Sequence, residues 1–188
     1  AAYAAVEPLT VLTEEFYAQG NYGEALKIYE RELANDPTMY QVNLMIGNVH
    51  REMEMYDQAI GAFQKVLDEE PMHTGALVSV GDILVTQQKL DEAIVYFEKA
   101  IDQTTDELIP FNVAEIYFNK GNATKAIDYY KIATERKPDW ADGHLKLAYA
   151  FLNTGDMEGA TAAFEKVVEV DPDSPQGQIA QGALTALK

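Results

Sequence analysis

An alanine returns at a nearly constant interval along this chain. Ala25, Ala59, Ala93, Ala126 and Ala160 follow one another at steps of 34, 34, 33 and 34 residues. A fixed period of this length is typical of repeat architectures, in which one copy cannot bury its own apolar face and must stack on its neighbours. The 188 residues have room for five copies.

Each of these alanines lies in an apolar pattern with helical spacing. Apolar residues recur at i, i+3, i+4 and i+7, as in Tyr56, Ala59, Ile60 and Phe63, which is one face of an α-helix. A further amphipathic segment precedes each of these helices, so every copy is predicted to be a helix pair. The predicted repeats are 6–39, 40–73, 74–106, 107–140 and 141–174, followed by a capping helix at 176–188.

Turn residues separate the two helices of each pair. Gly20, Gly121 and Gly155 stand at this turn in three copies, where glycine can adopt a positive φ after a helix end. Glu54 and Gln88 stand there in the other two, so those turns are predicted to be strained or differently shaped.

Prolines mark the ends of most of the second helices, because proline lacks an N–H and disfavours helix in the residue before it. They are Pro37, Pro71, Pro138 and Pro172. The third copy has Thr105 instead and is one residue short. The joint between the third and fourth copies is therefore predicted to be the least regular.

The repeated pattern resembles the tetratricopeptide repeat, whose signature is W-x₂-L-G-x₂-Y, then A-x₃-F, then P. At the signature positions the second copy reads Asn43, Ile46, Gly47, His50, Ala59, Phe63 and Pro71, in agreement except at Asn43 and His50. The resemblance extends over residues 6 to about 174. It implies an all-α fold, a right-handed α-solenoid of antiparallel helix pairs with about 11 helices, forming a single domain over residues 1–188.

Small residues in the first helices are expected to let the paired helices approach closely. These residues are Gly47, Gly81, Ala114 and Ala148, and a bulkier side chain at any of them would overpack the pair. The capping helix is predicted to cover the last repeat with a stripe made of Ile179, Ala183, Leu184 and Leu187.

In tetratricopeptide arrays the first helix of each pair lines a concave surface, so the resemblance implies a peptide-binding groove there. The predicted residues are Leu44, Asn48, Arg51, Val78, Asp82, Val85, Phe111, Glu115, Phe118, Leu145, Tyr149 and Leu152, with Thr10, Glu14 and Tyr17 in the first copy. The result would be an apolar floor crossed by Asp82 and Glu115. Such a floor suits an amphipathic or extended segment with apolar anchors and a basic residue or two. The alternative is a solvated groove, or one filled by a neighbouring molecule.

One subgroup of the family binds acidic chaperone tails through a clamp of Lys, Asn and Arg side chains. Asn48 and Asn112 occupy positions of the asparagine type, but Leu44 and Val78 stand where the clamp requires lysine. The clamp is therefore absent, and binding of chaperone tails is not expected.

The chain is strongly acidic, with 31 acidic and 14 basic residues and a formal net charge of −17. A field of this sign repels nucleic acids and anionic lipid surfaces and steers basic partners inward. The alternative is that the charge serves only solubility. Since no stretch approaches the roughly 18 apolar residues of a membrane helix, we expect a soluble protein without membrane insertion, in a compartment left open between cytoplasmic and periplasmic or secreted.

The sequence offers no pattern typical of catalysis or metal binding. It has no cysteine, and its three histidines, His50, His73 and His144, fall in different repeats. His50 and His144 occupy core positions of the signature and are expected to be buried and hydrogen-bonded. We therefore predict no enzyme activity, no cofactor and no metal.

The leading interpretation is a protein–protein interaction scaffold that binds a segment of a partner in its concave groove. One alternative is a self-assembly or homo-oligomerisation module. Another, favoured by the lack of an initiating methionine, is the repeat domain of a larger assembly protein.

Overall fold

The computed structural model describes residue 13 and residues 15–187, and within that part every regular element is helical. Residues 15–18 are the end of a helix whose beginning lies outside the described residues. Ten complete helices follow: α1 (Tyr22–Asn35), α2 (Val42–Glu52), α3 (Tyr56–Glu69), α4 (Thr74–Thr86), α5 (Leu90–Ile101), α6 (Leu108–Asn119), α7 (Ala123–Arg136), α8 (Ala141–Thr154), α9 (Met157–Val170) and α10 (Pro175–Ala186).

The chain divides into two compact units, residues 1–100 and 101–188, called here the first and second unit. In the first unit α2 packs on α1 and α3, and α4 packs on α3. In the second unit α6, α7, α8 and α9 pack in chain order, and α10 lies on α9 and α8. This succession of neighbour contacts is that of a repeat array. The assignment of residues 1–188 to a single domain stays a prediction.

The small residues of the first helices face large rings of the second helices. A Cβ on Gly47 would lie 2.7 Å from the Phe63 ring, and one on Gly81 would lie 2.6 Å from the Phe97 ring. Both rings are fully buried. The predicted reason for these glycines, close approach of paired helices, is therefore confirmed.

The turns within the helix pairs share one backbone conformation. Gly20, Gly121 and Gly155 have φ of 68°, 78° and 78°, and Glu54 and Gln88 have φ of 58° and 60°. The two turns without glycine thus keep the shape of the others and adopt a left-handed conformation that costs about 1–2 kcal/mol for a residue with a Cβ. Of the two predicted outcomes, strain is observed and a different shape is not.

The joint after the third repeat is irregular, as predicted. Its second helix, α5, has 12 residues, whereas α1, α3, α7 and α9 have 14 each. Arg136 holds this joint, since its guanidinium donates to the carbonyl oxygens of Ile101 at 2.8 Å and Asp106 at 2.9 Å. Lys137 adds an ion pair with Glu107 at 2.8 Å. The arginine therefore satisfies carbonyls of a helix end and of the loop after it.

Replacing Arg136 with Ala is expected to lower the free energy of unfolding of the second unit by about 1–2 kcal/mol, because two charge-assisted hydrogen bonds are lost. Arg136→Lys keeps the charge but not the planar fork that reaches both carbonyls, and should recover less than half of the loss. Chemical denaturation followed by the fluorescence of Trp140, the one tryptophan of the chain, measures both. Equal stability of the native and Lys forms would contradict this role.

The capping helix, α10, begins with a side-chain cap. Ser174 accepts a hydrogen bond from the amide of Gly177 at 3.0 Å, and Pro175 occupies the first turn, where its missing N–H costs nothing. A Cβ on Gly177 would lie 2.1 Å from the carbonyl oxygen of Asp171. The start of α10 is thus pressed against the backbone that precedes it.

The predicted apolar stripe of α10 is wrong in part. Gly177 and Ala180 are buried and Ala183 and Leu184 are half-buried, but Ile179 is 47% exposed and Leu187 is 37% exposed. The close contact at Gly177 explains the difference, because it orients the helix with its smallest residues inward and turns Ile179 outward.

Two glycines of α10 are expected to respond oppositely to the same substitution. Gly177→Ala should lower the free energy of unfolding by about 1–3 kcal/mol, because the backbone carbonyl of Asp171 leaves no room for a methyl group. Gly182→Ala should raise it by about 0.5–1 kcal/mol, because that position is open and alanine is the better helix former. Thermal unfolding of both variants beside the native chain shows whether each one is less or more stable than the native chain. A change in the same direction for both variants would refute the packing argument.

Candidate functional site

The predicted binding residues lie on α2, α4, α6 and α8, and they differ in exposure. Asp82 and Tyr149 are exposed. Half-buried are Leu44, Asn48, Arg51, Val78, Val85, Phe111, Glu115, Phe118 and Leu152. Leu145 is buried, and Thr10 and Glu14 lie outside the described residues.

Three of the predicted residues meet at one pocket in the first unit. Tyr17, Asn48 and Arg51 line a pocket of about 360 Å³ together with Thr13, Tyr29, Met45 and Glu52. Met45 and Glu52 are not among the residues predicted for the groove. Their positions three residues before and four residues after Asn48 place them on the same helix face, and this spacing could have identified them.

The pocket combines a neutral phenol with an arginine. Burial raises the pKa of the Tyr17 phenol, with further contributions from Tyr29 and Glu52, so the hydroxyl remains protonated and can donate a hydrogen bond. The guanidinium of Arg51 lies 3.7 Å from the Glu52 carboxylate, a loose and exposed ion pair. Such a pair contributes little stability, which leaves Arg51 able to bind another acceptor.

Asp82 supplies an exposed carboxylate on α4. Displacement of water by the surrounding side chains raises the pKa of this carboxyl, and the positive charge of Arg51 partly offsets the effect. A basic group placed against Asp82 would stabilise its charged form.

Glu115 does not present a free carboxylate, contrary to the predicted role of this residue on the groove floor. The Tyr130 hydroxyl donates to its Oε1, and the Lys146 ammonium lies 3.1 Å from its Oε2. Burial raises the pKa of Tyr130, and Glu115 adds to this effect, so the phenol stays a donor. Because both oxygens are engaged within the unit, a basic partner gains less from Glu115 than the sequence indicates.

Leu145 is the clearest error among the predicted binding residues. It is 6% exposed and belongs to the core of the second unit. Leu145 follows the buried His144 on α8, which packs on α7, α9 and α10, so its side chain lies inside the unit and not on an open face.

The aromatic residues of the second unit are mostly engaged in internal packing. The Phe111 ring lies 4.6 Å from the Trp140 ring and 5.5 Å from the Tyr130 ring, between centroids. Tyr149 meets the edge of Phe164 at 5.9 Å but remains 38% exposed. Among the aromatic residues predicted for the groove, Tyr149 therefore offers the largest free surface.

The two core histidines differ. His144 is buried, and its Nε2 donates to the Pro138 carbonyl at 2.9 Å, which confirms the prediction. His50 is half-buried, and its Nδ1 has no hydrogen-bond partner among the described residues, so the prediction of a hydrogen-bonded His50 is wrong for this atom. His73 instead caps the N-terminus of α4, where its Nδ1 accepts from the Ala76 amide.

Acidification is expected to destabilise the second unit through His144. Burial lowers the pKa of this histidine, although its hydrogen bond to Pro138 opposes the shift. The unfolded chain, with an ordinary histidine pKa near 6.5, then takes up the proton first, so the stability from His144 is complete above that pH and is lost as the pH falls below it. Urea denaturation from pH 7.5 to 5.5 should show this loss for the native chain and a flatter profile for His144→Gln; parallel profiles would contradict it.

The described part of the chain contains neither a candidate metal cluster nor a candidate membrane span. No group of three or more His, Asp or Glu side chains could hold a metal ion there. None of the described helices is long and apolar enough to cross a membrane.

Solved structures share this fold. A MamA protein superposes with a TM-score of 0.73 at 19% identity, over 88% of this chain and 91% of that one. YrrB, described as a TPR protein with an unusual peptide-binding site, gives a TM-score of 0.70 at 22% identity, over 97% and 98% of the two chains. At these identities the likeness shows the fold alone, which is the all-α helix-pair fold predicted from the sequence.

A sequence relative points to the same family. The Hsp70-Hsp90 organizing protein of Triticum aestivum is 38% identical over 66 residues, which is 31% of this chain but 11% of the wheat protein. Tetratricopeptide repeat profiles match residues 9–38, 44–107 and 111–175. Most of the sequence is thus accounted for by repeats of one type, whose members typically serve as protein-interaction scaffolds, and the chain belongs to the tetratricopeptide repeat family.

Proposed function

We propose that this protein is an interaction scaffold that binds a segment of a partner protein on the faces of its first helices. The observation that carries the proposal is the pocket of about 360 Å³ in the first unit, where Tyr17, Asn48 and Arg51 converge from adjacent repeats. Their repeat positions alone predict a role in binding. A pocket at that position is what a peptide site requires.

The chemistry of the pocket fits one apolar side chain flanked by polar backbone. Met45 and the rings of Tyr17 and Tyr29 provide apolar surface, whereas Asn48 and Arg51 provide hydrogen bonds. An asparagine amide can both donate to and accept from an extended peptide backbone. In the second unit, the exposed Tyr149 offers a further apolar contact on the corresponding helix face.

The acidic charge favours a partner segment that is basic overall. With a net charge of −17, association with a basic segment should be fast at low salt and slower as salt screens the field. If two or three anchors each gain about 2 kcal/mol on burial, the gross gain of about 4–6 kcal/mol only reaches the low end of the association cost of about 4–15 kcal/mol. Because micromolar affinity requires about 8 kcal/mol of net binding free energy, a short peptide held by these anchors alone should bind more weakly than micromolar.

The neighbours support a protein-binding role. The wheat relative is named for organising Hsp70 and Hsp90, and the YrrB structure is described by its peptide-binding site. The missing lysines of the clamp argue against acidic chaperone tails as the ligand here.

The test is affinity capture from a source lysate with a matched pair of variants. The site variant carries Asn48→Ala and Arg51→Ala. The control carries Gln64→Ala and Arg31→Ala, which remove one amide and one arginine from the exposed sides of α3 and α1. Tyr149→Ala examines the second unit in the same way. All variants should match the native circular dichroism.

We expect proteins retained by the native chain and by the control to be missing from the site variant. Binding of the captured segment, measured by calorimetry, should weaken at least tenfold with Asn48→Ala and Arg51→Ala, and should weaken further with salt. Equal retention by the site variant and the control would refute this binding surface.

Self-association is a second candidate because the outer face of α10 carries exposed apolar side chains. Ile179 is 47% exposed and Leu187 is 37% exposed. Contact between two acidic copies should strengthen with salt, which screens their repulsion. Light scattering at high and low salt should then show a concentration-dependent mass that Ile179→Glu abolishes; a constant monomer mass at all concentrations would reject this candidate.

A further inference from the structure

A second cleft, of about 510 Å³, lies between α1, α2 and α3 in the first unit. Its lining residues are Glu30, Leu33, Ala34, Asn43, Ile46, His50, Gln58, Gly61, Ala62 and Lys65. Asn43, Ile46 and Ala62 are buried and form its bottom, whereas Gln58 and Lys65 are exposed at its rim. The pocket at Tyr17, Asn48 and Arg51 shares none of these residues.

The cleft coincides with two unusual residues of the second repeat. Asn43 and His50 correspond, 34 residues later, to Leu77 and Leu84 of the third repeat, which are 1% and 4% exposed. Leucines at these positions are part of the core. The second repeat has polar side chains instead, and the space beside them is open.

Asn43 has an acceptor that the protein does not use. The residue is 4% exposed, and its Nδ2 donates to the Tyr40 carbonyl at 3.0 Å. Its Oδ1 is buried and finds no partner among the described residues, and neither does Nδ1 of the nearby His50. Buried polar atoms are satisfied in the great majority of native structures, so this arrangement calls for a donor from outside.

We propose that this cleft binds the indole side chain of a tryptophan from a partner segment. Leu33, Ile46 and Ala62 give it apolar walls for the ring, and the indole N–H is a donor without acceptor capacity, which matches the unused Oδ1 of Asn43. An ammonium group would fit poorly because it would lose its hydration against those walls, and the lining charges of Glu30 and Lys65 balance each other. Buried tryptophan side chains normally require such a partner for their N–H.

The indole site is independent of the proposed peptide surface. Asn43 and His50 lie on a different face of α2 from Asn48 and Arg51, because adjacent residues of a helix point about 100° apart. An experiment that rejects one of the two proposed sites therefore leaves the other proposal standing.

The test is a nuclear magnetic resonance titration of the full ¹⁵N-labelled chain with N-acetyl-tryptophanamide. We expect saturable shifts at Ile46, Ala62 and the Asn43 side-chain amide, with a dissociation constant of roughly 1 mM, as suits a single buried side chain. The 1-methyl derivative, which lacks the N–H, should bind roughly tenfold more weakly because the Asn43 acceptor stays unpaired.

The decisive variant fills the cleft with larger apolar side chains on its own lining residues. Asn43→Leu with His50→Leu copies the third repeat and should remove the shifts while raising the melting temperature. Gly61→Leu is the second variant, since a side chain there meets open space and would obstruct the rim without disturbing the core. Asn48→Ala with Arg51→Ala should keep the shifts.

Three results would overturn the indole site. They are the absence of saturable shifts in the native chain, undiminished shifts in the folded Gly61→Leu variant, and equal affinity for the methylated derivative.

Discussion

Replacing Phe164 with Ala is expected to lower the free energy of unfolding of the second unit by about 3–5 kcal/mol. The ring is fully buried, belongs to the core shared by α6 to α10, and makes a T-shaped contact with the Tyr149 ring. It follows Ala148 at the same sequence offset that separates Phe97 from Gly81. Since helix pairs in this fold are held by these rings, the cavity left by alanine cannot close without moving the pair.

A second substitution at position 164 separates the effect of lost side-chain volume from the effect of losing the aromatic ring. Phe164→Leu keeps most of the apolar volume and should cost less than about 1.5 kcal/mol. The fluorescence of Trp140, in the second unit, follows the unfolding of that unit in urea, and circular dichroism follows the whole chain. A loss below about 1 kcal/mol for Phe164→Ala would mean that the ring is not tightly packed.

Ending the chain at Asp173 is expected to have the second large effect. Removal of α10 takes away the buried Ala180 and uncovers the part of α9 that contains Phe164 and Val167, both of which have no exposed surface in the intact chain. At about 1.5–3 kcal/mol for each large apolar side chain, the second unit should lose about 3–6 kcal/mol. The uncovered apolar surface should also cause self-association.

Thermal unfolding and light scattering test the shortened chain beside the intact one. Thr185→Ser in the intact chain is the control, because it changes the exposed side of α10 and should leave both stability and mass nearly unchanged. A shortened chain that remained fully stable and monomeric would show that α10 does not cap the array.

The repeat architecture was predictable because it rests on local chemistry that recurs five times. The spacing of the alanines indicates where each helix pair lies along the chain. Small residues such as Gly81 indicate that the two helices of a pair approach closely. Proline and glycine mark helix ends through backbone restrictions that do not depend on the rest of the fold. For these reasons the turns at Gly20, Gly121 and Gly155 follow from the sequence.

The site was less predictable because its properties depend on contacts between repeats. Repeat position put Leu145 and Glu115 on the binding face, but Leu145 lies in the core of the second unit, where α8 has three neighbouring helices. Glu115 is engaged by Tyr130 and Lys146, which are 15 and 31 residues away. The periodicity of one helix carries no information about either contact.

At Asn43 and His50 the sequence showed that something was unusual but not what it meant. Their departure from the signature was visible in the sequence, but its meaning was not, because a polar residue at a core position can be satisfied by neighbours, as His144 is. The difference between these two histidines lies in whether a carbonyl happens to face the ring.

The left-handed turns at Glu54 and Gln88 bear on how this protein can change. Each holds a side chain in a conformation that glycine adopts freely, so these two positions are places where the chain could gain thermostability without altering its core or its binding faces. Glycine at position 54 would also remove one acidic charge from an already acidic protein. The stability gained from glycine at these two positions would offset destabilising substitutions elsewhere. Such substitutions include those that would reshape a binding surface for a new partner.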